Sequence, residues 1–399
     1  MSTTNAIVIR ITGDSGDGVQ LVGEQLTITA ALSGRDVRTL PDFPAEIRAP
    51  AGTVAGVSGF QLAMAEQAIF TAGESLDVLV ALNPAALKNS LQYLQEGGLL
   101  IINEDSMQLK DWEKAGCDPS ILKDAAEHYD VLSLPLITQT LRAVESLDMN
   151  HAHAKKAKNF YVLGLVLWLF DLKKDSSLAF IAKKFKANPV IAKANELSLL
   201  AGFNYAMTLE LTRRNYMLGH VSRESGEYRQ ITGVEAIALA MATLAVTTKT
   251  PMLVSGYPIT PSSTILHECA KLSEYGVQLL QAEDEIAAIC ACIGAAFGGR
   301  LALTCTSGPG LDLKSESLGL AVVSELPLVL VDVQRAGAST GLPTKTGQSD
   351  LRQALYGRHG EAPLPVLAPA TPADCFTTMI EAFCIAIKYM TPVIVLMDA

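Results

Sequence analysis

The chain has 399 residues, which exceeds the usual size of one domain and predicts two, each large enough to bury a core. Its formal net charge of −10 argues against non-specific binding to nucleic acid, because such binding depends on Lys and Arg neutralising phosphates. With 49% hydrophobic and 18% charged residues, the chain has less polar surface than a free-standing monomer needs, so we expect extensive subunit contact.

Cysteine usage and the N-terminal residues bear on the compartment. The seven cysteines are scattered, mostly in apolar runs, and none forms a Cys-x-x-Cys pair, which predicts core residues in a reducing compartment and no metal ion or cluster held by this chain. The N-terminal residues lack the pattern of a secretory signal, and the longest apolar run is about half a membrane span. The sequence therefore predicts a cytoplasmic protein without a membrane segment.

A first βα unit opens the chain. Residues 6–11 predict a strand, residues 12–18 a glycine-rich turn, and residues 19–32 a helix. Such a turn offers amides to a phosphate, yet Asp14 and Asp17 place negative charge there. The order Gly-x-x-Gly-x-Gly also departs from the dinucleotide fingerprint, so NAD or FAD binding is not favoured.

The same turn contains Gly16-Asp17-Gly18, the start of the magnesium motif of thiamine-diphosphate enzymes. That motif needs an asparagine some 25 to 30 residues later, and none occurs between Gln25 and Leu82. The metal and diphosphate half of a thiamine site is therefore not encoded here. The proline-stiffened segment 41–49 is interpreted as a lid or interface loop.

The rest of the first domain is predicted as α/β and then helical. Residues 76–82 and 99–103 are typical of buried strands, with a helix predicted over 84–95, and residues 155–218 are mostly helical. His151 and His153 are interpreted as part of a solvated loop rather than a metal site. The charged stretch near residue 220 gives predicted boundaries of 1–219 for the first domain, 220–231 for a linker and 232–399 for the second domain.

The second domain alternates helices and strands, which predicts a doubly wound parallel sheet. Residues 252–255 predict a strand that enters a proline-stiffened turn carrying Thr260, and Ser262 or Ser263 is placed to cap the next helix. Polar residues follow the later strands in the same way, at 283–285, 307–310 and 334–340. Taken singly, these features are equally consistent with helix-terminal acids, ordinary turns and a solvated arginine.

Taken together, four ordered segments resemble the α subunits of 2-oxoacid:ferredoxin oxidoreductases, closest to the 2-oxoglutarate enzymes. The segments are Gly-Tyr-Pro-Ile-Thr-Pro-Ser-Ser, Gln-Ala-Glu-Asp-Glu-Ile-Ala-Ala, Thr-Ser-Gly-Pro-Gly and Gln-Arg-Ala-Gly-Ala-Ser-Thr-Gly-Leu-Pro-Thr-Lys-Thr. The resemblance covers essentially the whole chain. It implies a γ-type domain followed by a pyrimidine-binding, transketolase-like domain, so the predicted fold class is α/β with two doubly wound domains.

The resemblance also implies roles for individual residues. Glu285 corresponds to the family's catalytic glutamate on the pyrimidine side, and Thr260, Arg335 and Thr340 correspond to its substrate-binding residues. The remaining implied contacts to the cofactor come from Tyr257, Pro258, Ile259, Ser307 and Gly308.

Elementary chemistry supports two of these roles. A carboxylic acid bonded to the aminopyrimidine shifts it to the imino form that removes the C2 proton of thiamine, and the apolar run after Glu285 favours a protonated acid. The guanidinium of Arg335 offers a planar fork that matches a carboxylate.

The sequence departs from the family at two places. Ala338 stands where the family usually has a proline, and the family's α subunit normally continues into a further domain beyond position 399, so a truncated chain is expected.

The implied reaction is the CoA-dependent oxidative decarboxylation of 2-oxoglutarate to succinyl-CoA, or the reverse carboxylation. The implied cofactor is thiamine diphosphate, shared with a β subunit that supplies Mg²⁺ and a [4Fe-4S] cluster in an α2β2 enzyme, with coenzyme A as co-substrate and ferredoxin as electron carrier. Two alternatives stay open. One keeps the chemistry with pyruvate or a branched-chain 2-oxoacid, and the other is a non-catalytic nucleotide-binding or scaffold subunit that holds an adenylate at 13–18.

Overall fold

The computed structural model describes residues 6–44, 56–209, 218 and 226–398. The chain divides into two compact units, Met1–Tyr228 and Arg229–Ala399, each with its own core. The predicted linker lies outside the described residues as far as residue 225, and the predicted domain boundaries stay predictions. In the described part of the chain, no helix has both the length and the apolar character needed to cross a membrane.

The first unit is built on a six-stranded sheet. Its strands are β1 (Ala6–Asp14), β2 (Asp36–Asp42), β3 (Val57–Ala65), β4 (Leu76–Ala81), β5 (Leu94–Asn103) and β6 (Asp130–Leu134). The spatial order is β2-β3-β1-β4-β5-β6, with β1, β4, β5 and β6 parallel and β3 antiparallel to both of its neighbours. The sheet is therefore mixed, whereas the sequence predicted a doubly wound domain without strands β2 and β3.

Strand β2 was not predicted from the sequence. It is an edge strand whose residues are only half-buried, so it lacks the clean alternation that reveals a strand, and Pro41 is tolerated because an edge strand need not donate every amide. Pro41 and Asp42 thus belong to a strand and not to a loop. Residues 45–49 of the predicted loop lie outside the described residues.

Nine helices are described in the first unit. They are α1 (Val19–Leu32), α2 (Pro84–Ser90), α3 (Leu109–Ala115), α4 (Ile121–His128), α5 (Leu136–Ala143), α6 (His151–Lys156), α7 (Lys158–Leu169), α8 (Asp175–Lys184) and α9 (Pro189–Thr208). Helix α2 begins where Asn83 Oδ1 accepts a hydrogen bond from the Ala86 amide at 2.8 Å, but it ends before the predicted limit because β5 begins at Leu94. His151 and His153 lie in a helix capped by Asn150, so the predicted loop there is wrong.

Helix α7 is buried on all sides and joins the core of the sheet. Its crossing with α9 brings the two backbones into contact. A Cβ atom added at Gly164 would lie 2.0 Å from the Leu199 carbonyl oxygen, and one at Gly202 would lie 2.0 Å from the Tyr161 carbonyl oxygen. The glycines hold α9 against α7, and α7 packs the helical region on the sheet by sharing its core cluster.

The second unit is a doubly wound parallel sheet, as predicted. Its strands are β7 (Met252–Gly256), β8 (Val277–Gln281), β9 (Leu301–Thr306), β10 (Val329–Gln334), β11 (Val366–Leu367) and β12 (Val393–Asp398). Its helices are α10 (Gly233–Thr248), α11 (Ser263–Cys269), α12 (Glu285–Phe297), α13 (Gly308–Val323), α14 (Leu351–Tyr356) and α15 (Asp374–Tyr389). The spatial order is β11-β12-β10-β9-β7-β8, and every pairing is parallel.

The helices cover both faces of this sheet. Helices α10, α11 and α15 share one core cluster, and α12, α13 and α14 contribute to the clusters on the other face. After β7 the chain forms β8 on one side and then β9 on the other, so the strand order reverses between β7 and β9. Ligands bind at such a switch point, beyond the carboxyl ends of the strands.

Helix α13 includes residues that the sequence predicts as a turn. The sequence Thr306-Ser307-Gly308-Pro309-Gly310 predicted a turn, but the helix begins at Gly308, because a proline in the first helical turn removes an amide that has no partner there anyway. The short elements α14 and β11 carried too little periodicity to be predicted.

Candidate functional site

Four loops of the second unit meet at one edge of its sheet. They follow β7, β8, β9 and β10, four parallel strands that neighbour one another in the order β10-β9-β7-β8. The loops carry the residues that the sequence singled out. The structure therefore brings these segments to a common edge centred on the switch point.

The turn after β7 is held by local hydrogen bonds. Ser262 Oγ and the Ser263 amide both donate to the Ile259 carbonyl, at 3.0 and 2.9 Å. Ser262 precedes α11 but makes no side-chain bond to a helix amide, so its predicted capping role is wrong. Tyr257, Pro258 and Thr260 are exposed on this turn, available to a ligand.

Glu285 is the first residue of α12 and is only 7% exposed. The preceding Asp284 caps the helix, its carboxylate accepting from the Ala287 amide at 2.7 Å, so the helix-terminal interpretation of these acids applies to Asp284. The Glu285 carboxyl makes no hydrogen bond to any residue that the structure describes. A nearly buried acid is thus left with its hydrogen-bonding capacity unused.

Helix α13 forms the wall against this acid. A Cβ atom added at Gly310 would lie 2.0 Å from Thr306 Oγ1, 2.8 Å from Glu285 Cγ and 3.0 Å from Glu285 Oε1. Ile286, by contrast, is 48% exposed, so the apolar run after Glu285 does not enclose the acid as the sequence suggested. The burial of Glu285 comes from the close approach of α13.

Arg335 directly follows β10 and links two loops. Its Nη1 donates to the Thr260 carbonyl at 2.7 Å, and its Nη2 donates to the Thr340 carbonyl. The side chain is 5% exposed, and its Nε is buried without a partner in the described part of the chain. Burial lowers the pKa of the guanidinium, and the charge of Glu285 partly offsets this lowering. A solvated arginine is thereby excluded.

The loop that carries Thr340 is closed by its own backbone. The Ala336 amide donates to the Lys345 carbonyl at 2.9 Å, and the Leu342 amide donates to the Ala336 carbonyl at 2.7 Å. Gly337 and Gly341 have φ of 91° and 69°, values that favour glycine. These contacts order the loop although Ala338 replaces the family's proline, and they leave Thr340 exposed.

Ser307 and Gly308 stand where β9 passes into α13. Ser307 is fully buried, and its Oγ donates weakly to the Thr260 carbonyl at 3.4 Å. A Cβ atom at Gly308 would lie 2.7 Å from Asp350 Oδ2, so a side chain there would have to displace that carboxyl. The Thr260 carbonyl thus accepts from both Ser307 and Arg335, which fixes the β7 turn against β9 and β10.

Sequence reasoning missed two buried ionisable groups beside the site. Lys314 on α13 is fully buried, and its Nζ donates to the Glu285 carbonyl at 2.7 Å and to Thr304 Oγ1 at 3.2 Å. Asp332 is fully buried in β10, where burial first and Asp350 second raise its pKa well above the ordinary value. In the sequence, both groups could have been recognised as charged residues within an apolar pattern. Asp332 lies in an apolar strand, and Lys314 lies on the buried face of a helix.

The glycine-rich turn of the first unit borders a separate cavity of about 240 Å³ at the carboxyl ends of β1 and β4. Asp17 accepts from the Asp14 amide at 3.1 Å and pairs with Lys158 Nζ at 2.7 Å, while Asn83 donates to Asp14 at 2.7 Å. Burial, with Asp17 adding to it, raises the pKa of Asp14. The Asp17 carboxylate already accepts from the Asp14 amide, so that amide is not available to a phosphate. This disfavours an anion site at this turn.

Comparison with known proteins places the chain in a family. Residues 8–205 match the family model described as "Pyruvate ferredoxin/flavodoxin oxidoreductase", and residues 245–399 match "Pyruvate flavodoxin/ferredoxin oxidoreductase, thiamine diP-bdg". The chain is 50% identical over 98% of its length to the 2-oxoglutarate oxidoreductase subunit KorA of Mycobacterium tuberculosis, covering 60% of that protein. The chain belongs to the 2-oxoacid:ferredoxin oxidoreductase family.

Other relatives extend this result. The α subunit of 2-oxoacid:ferredoxin oxidoreductase 1 of Aeropyrum pernix is 28% identical over 84% of the chain, which covers 54% of that subunit. A solved 2-oxoglutarate:ferredoxin oxidoreductase of Magnetococcus marinus, described with 2-oxoglutarate, coenzyme A and succinyl-CoA bound, superposes on 99% of the chain with a TM-score of 0.82 at 30% identity. The chain spans 64% of that solved chain, so it corresponds to about two thirds of a family member's length.

The second unit fits the cofactor that the family model names. The aminopyrimidine of thiamine diphosphate needs a carboxyl partner in a site of low water content, and Glu285 offers a nearly buried carboxyl with no partner among the described residues. The glycine at position 310 lets the backbone of α13 approach that carboxyl and shield it from water. The donor set of the second unit therefore suits the ring end of the cofactor.

Proposed function

We propose that this chain is part of the α subunit of a thiamine-diphosphate-dependent 2-oxoglutarate:ferredoxin oxidoreductase, catalysing the CoA-dependent conversion of 2-oxoglutarate to succinyl-CoA and CO₂ or its reverse. The observation that carries the proposal is the Glu285 carboxyl, 7% exposed at the start of α12 and left without a hydrogen bond in the described part of the chain. The similarity to the Mycobacterium and Magnetococcus proteins, both named for 2-oxoglutarate, supports this substrate.

In this proposal Glu285 is the catalytic residue of the chain. When bound, thiamine diphosphate would supply nucleophilic carbon chemistry at the 2-oxo group of the substrate. Glu285 holds a proton at the aminopyrimidine ring, where its 7% exposure leaves little water to compete for that contact. Tyr257, Pro258, Ile259, Ser307 and Gly308 surround the same edge and complete the ring end of the site.

Arg335, Thr260 and Thr340 orient the substrate. The guanidinium already bonds the main-chain carbonyls of both threonines, which holds their two loops on either side of it. A substrate carboxylate that replaces one of these carbonyls gains a charge-assisted hydrogen bond, about twice as strong as a neutral one. The exposed hydroxyls of Thr260 and Thr340 provide further donors.

A β subunit completes the enzyme in this proposal. It supplies Mg²⁺ for the diphosphate and a [4Fe-4S] cluster that passes electrons to ferredoxin, in an α2β2 assembly that also takes coenzyme A. The support is the family resemblance, the absence of a Cys-x-x-Cys pair in the sequence, and the missing asparagine after Gly18. The reducing cytoplasm is the proposed compartment, because all seven cysteines are free thiols.

Reconstitution with the β subunit tests the proposal. The assembled enzyme is assayed for ferredoxin reduction with CoA and, in turn, 2-oxoglutarate, pyruvate and a branched-chain 2-oxoacid. We expect the highest kcat/KM with 2-oxoglutarate. Higher kcat/KM with pyruvate or the branched-chain acid would correct the substrate, and no 2-oxoacid-dependent reduction by an assembled, cofactor-loaded complex would contradict the proposed reaction.

A further inference from the structure

Lys314 is a buried amine that the proposed chemistry does not use. It lies on α13, is fully buried, and makes no ion pair with any carboxylate that the structure describes. Burying an amine costs free energy unless hydrogen bonds offset it, so the contacts that it makes are informative.

Those contacts join three elements at the start of α12. The Nζ atom donates to the Glu285 carbonyl at 2.7 Å and to Thr304 Oγ1 on β9 at 3.2 Å. One helical turn before Lys314, Gly310 lies directly against the Glu285 carboxyl. The same helix therefore holds Glu285 at two points, its carbonyl through an amine and its carboxyl through a glycine.

We propose that Lys314 is a positioning residue for Glu285. It fixes the first residue of α12 to β9 and α13, so that the carboxyl keeps its place over Gly310 when the aminopyrimidine binds. This inference rests on the proposed role of Glu285 at the cofactor.

The surroundings of the amine agree with this role. Burial lowers the pKa of Lys314 to about 8, and Cys292, Cys305, Glu285 and Asp284, from α12, β9 and the loop before α12, act in the opposite direction. Its two acceptors at bonding distance are a main-chain carbonyl and a hydroxyl, and it pairs with no carboxylate that the structure describes. Lys314 thus ties α13 to the start of α12 and to β9 through hydrogen bonds.

The test uses the complex assembled with the β subunit and compares three single variants. Lys314→Met keeps the apolar stem and removes both hydrogen bonds, Thr304→Val removes only the anchor on β9, and Ser317→Ala removes a buried hydroxyl from the same helix as a control. The measured quantities are the dissociation constant of thiamine diphosphate and kcat, after circular dichroism and gel filtration confirm folding and assembly.

We expect Lys314→Met to weaken cofactor binding and to lower kcat, each about tenfold or more, a change equivalent to about 1.4 kcal/mol. Thr304→Val gives a smaller change in the same direction, and Ser317→Ala stays within about twofold of wild type. In a Glu285→Gln background, Lys314→Met adds little, because its effect acts through the carboxyl.

Three results would overturn the inference. These are unchanged affinity and kcat in Lys314→Met, an equal effect of Lys314→Met in the Glu285→Gln background, or, if Lys314→Met does not assemble, an unchanged affinity in Thr304→Val. A Glu285→Gln variant that equals wild type contradicts the proposed role of Glu285 itself. A large effect of Glu285→Gln with none for Lys314→Met contradicts only the positioning role.

Discussion

Asp284 and Glu285 are adjacent acids at the start of α12 with different environments. The Asp284 carboxylate accepts a hydrogen bond from the Ala287 amide and caps the helix, whereas the Glu285 carboxyl is nearly buried and makes no hydrogen bond in the described structure. Position on the helix, not charge, separates the cap from the candidate catalytic group.

Replacing Glu285 tests this separation. Glu285→Gln keeps the size but cannot hold the proton, so turnover of the assembled enzyme should fall by about 10²-fold or more, the usual scale for acid–base groups. Asp284→Asn removes the neighbouring charge but keeps a good helix cap, so its turnover should stay within about threefold of wild type. Steady-state kinetics measure both. Equal effects of the two variants would argue against a special role for Glu285.

Arg335 offers a second test at the residue scale. Arg335→Lys keeps the charge but cannot bond both the Thr260 and Thr340 carbonyls, so apparent affinity for the 2-oxoacid should weaken by about 1 to 3 kcal/mol. The control is Arg358→Lys, since Arg358 also donates to main-chain carbonyls, those of Ala354, Leu355 and Ala362. The control should lose stability but keep KM. An unchanged KM and kcat/KM in folded Arg335→Lys would exclude the carboxylate role.

Lys314 makes stability depend on pH. Its pKa is about 8 in the folded chain against 10.5 when unfolded, so between these values the unfolded state binds more protons and stability rises with pH. The thiols of Cys292 and Cys305 have pKa values raised to about 12 by burial, so they stay neutral in that window. By pH 9.5 the wild type should gain about 2 kcal/mol relative to Lys314→Met. Urea unfolding at pH 7 and pH 9.5 measures this gain, and an equal pH dependence in both proteins would contradict it.

At the scale of elements, the site depends on how closely α13 approaches the start of α12. Gly310 is the contact point, and the backbone of α13 reaches the Glu285 carboxyl there because no side chain intervenes. A later glycine of this helix, Gly319, has nothing within 4 Å of the position of a Cβ atom.

These two glycines form a matched pair. Gly310→Ala must displace Thr306 or Glu285, at a cost of about 1 to 3 kcal/mol, and should weaken thiamine diphosphate binding. Gly319→Ala should stabilise the helix by up to about 1 kcal/mol and leave cofactor binding unchanged. Thermal unfolding and calorimetric titration of the assembled enzyme distinguish the variants. If Gly310→Ala binds the cofactor like wild type, the close approach of α13 does not shape the site.

The sequence predicted elements well where burial is complete on both faces. Strands β9 and β10 are buried throughout, and the apolar runs at 301–305 and 328–333 predict them to within about one residue at each end. The half-buried edge strand β2 and the short α14 gave no such pattern. The alternation of helices and strands predicts a parallel sheet, and the carboxyl ends of parallel strands share an edge, so it also predicts that the four loops lie together.

The contacts inside the site were not predictable in this way. Arg335 bonds a carbonyl 75 positions earlier, and Lys314 bonds one 29 positions earlier. Such contacts follow from the packing of separate elements and leave no periodic signal. In the sequence, Lys314 appears only as a charged residue in a helical segment, and sequence patterns usually place such residues in solvent.

For the whole molecule, the proposed site is completed by a partner subunit. In this proposal the described part of the chain provides a carboxyl for the ring end of thiamine diphosphate, and the sequence lacks the asparagine that would follow Gly18 in a diphosphate-binding motif. A diphosphate held without its metal ion loses most of its electrostatic anchorage, so the ring contacts alone bind weakly.

Calorimetric titration with thiamine diphosphate and Mg²⁺ tests this shared site most directly. The chain alone should be colourless and should give little heat, and the mixture with the β subunit should show saturable binding with one cofactor for each α and β pair. Micromolar binding by this chain alone, or stoichiometric iron in it, would contradict the shared site.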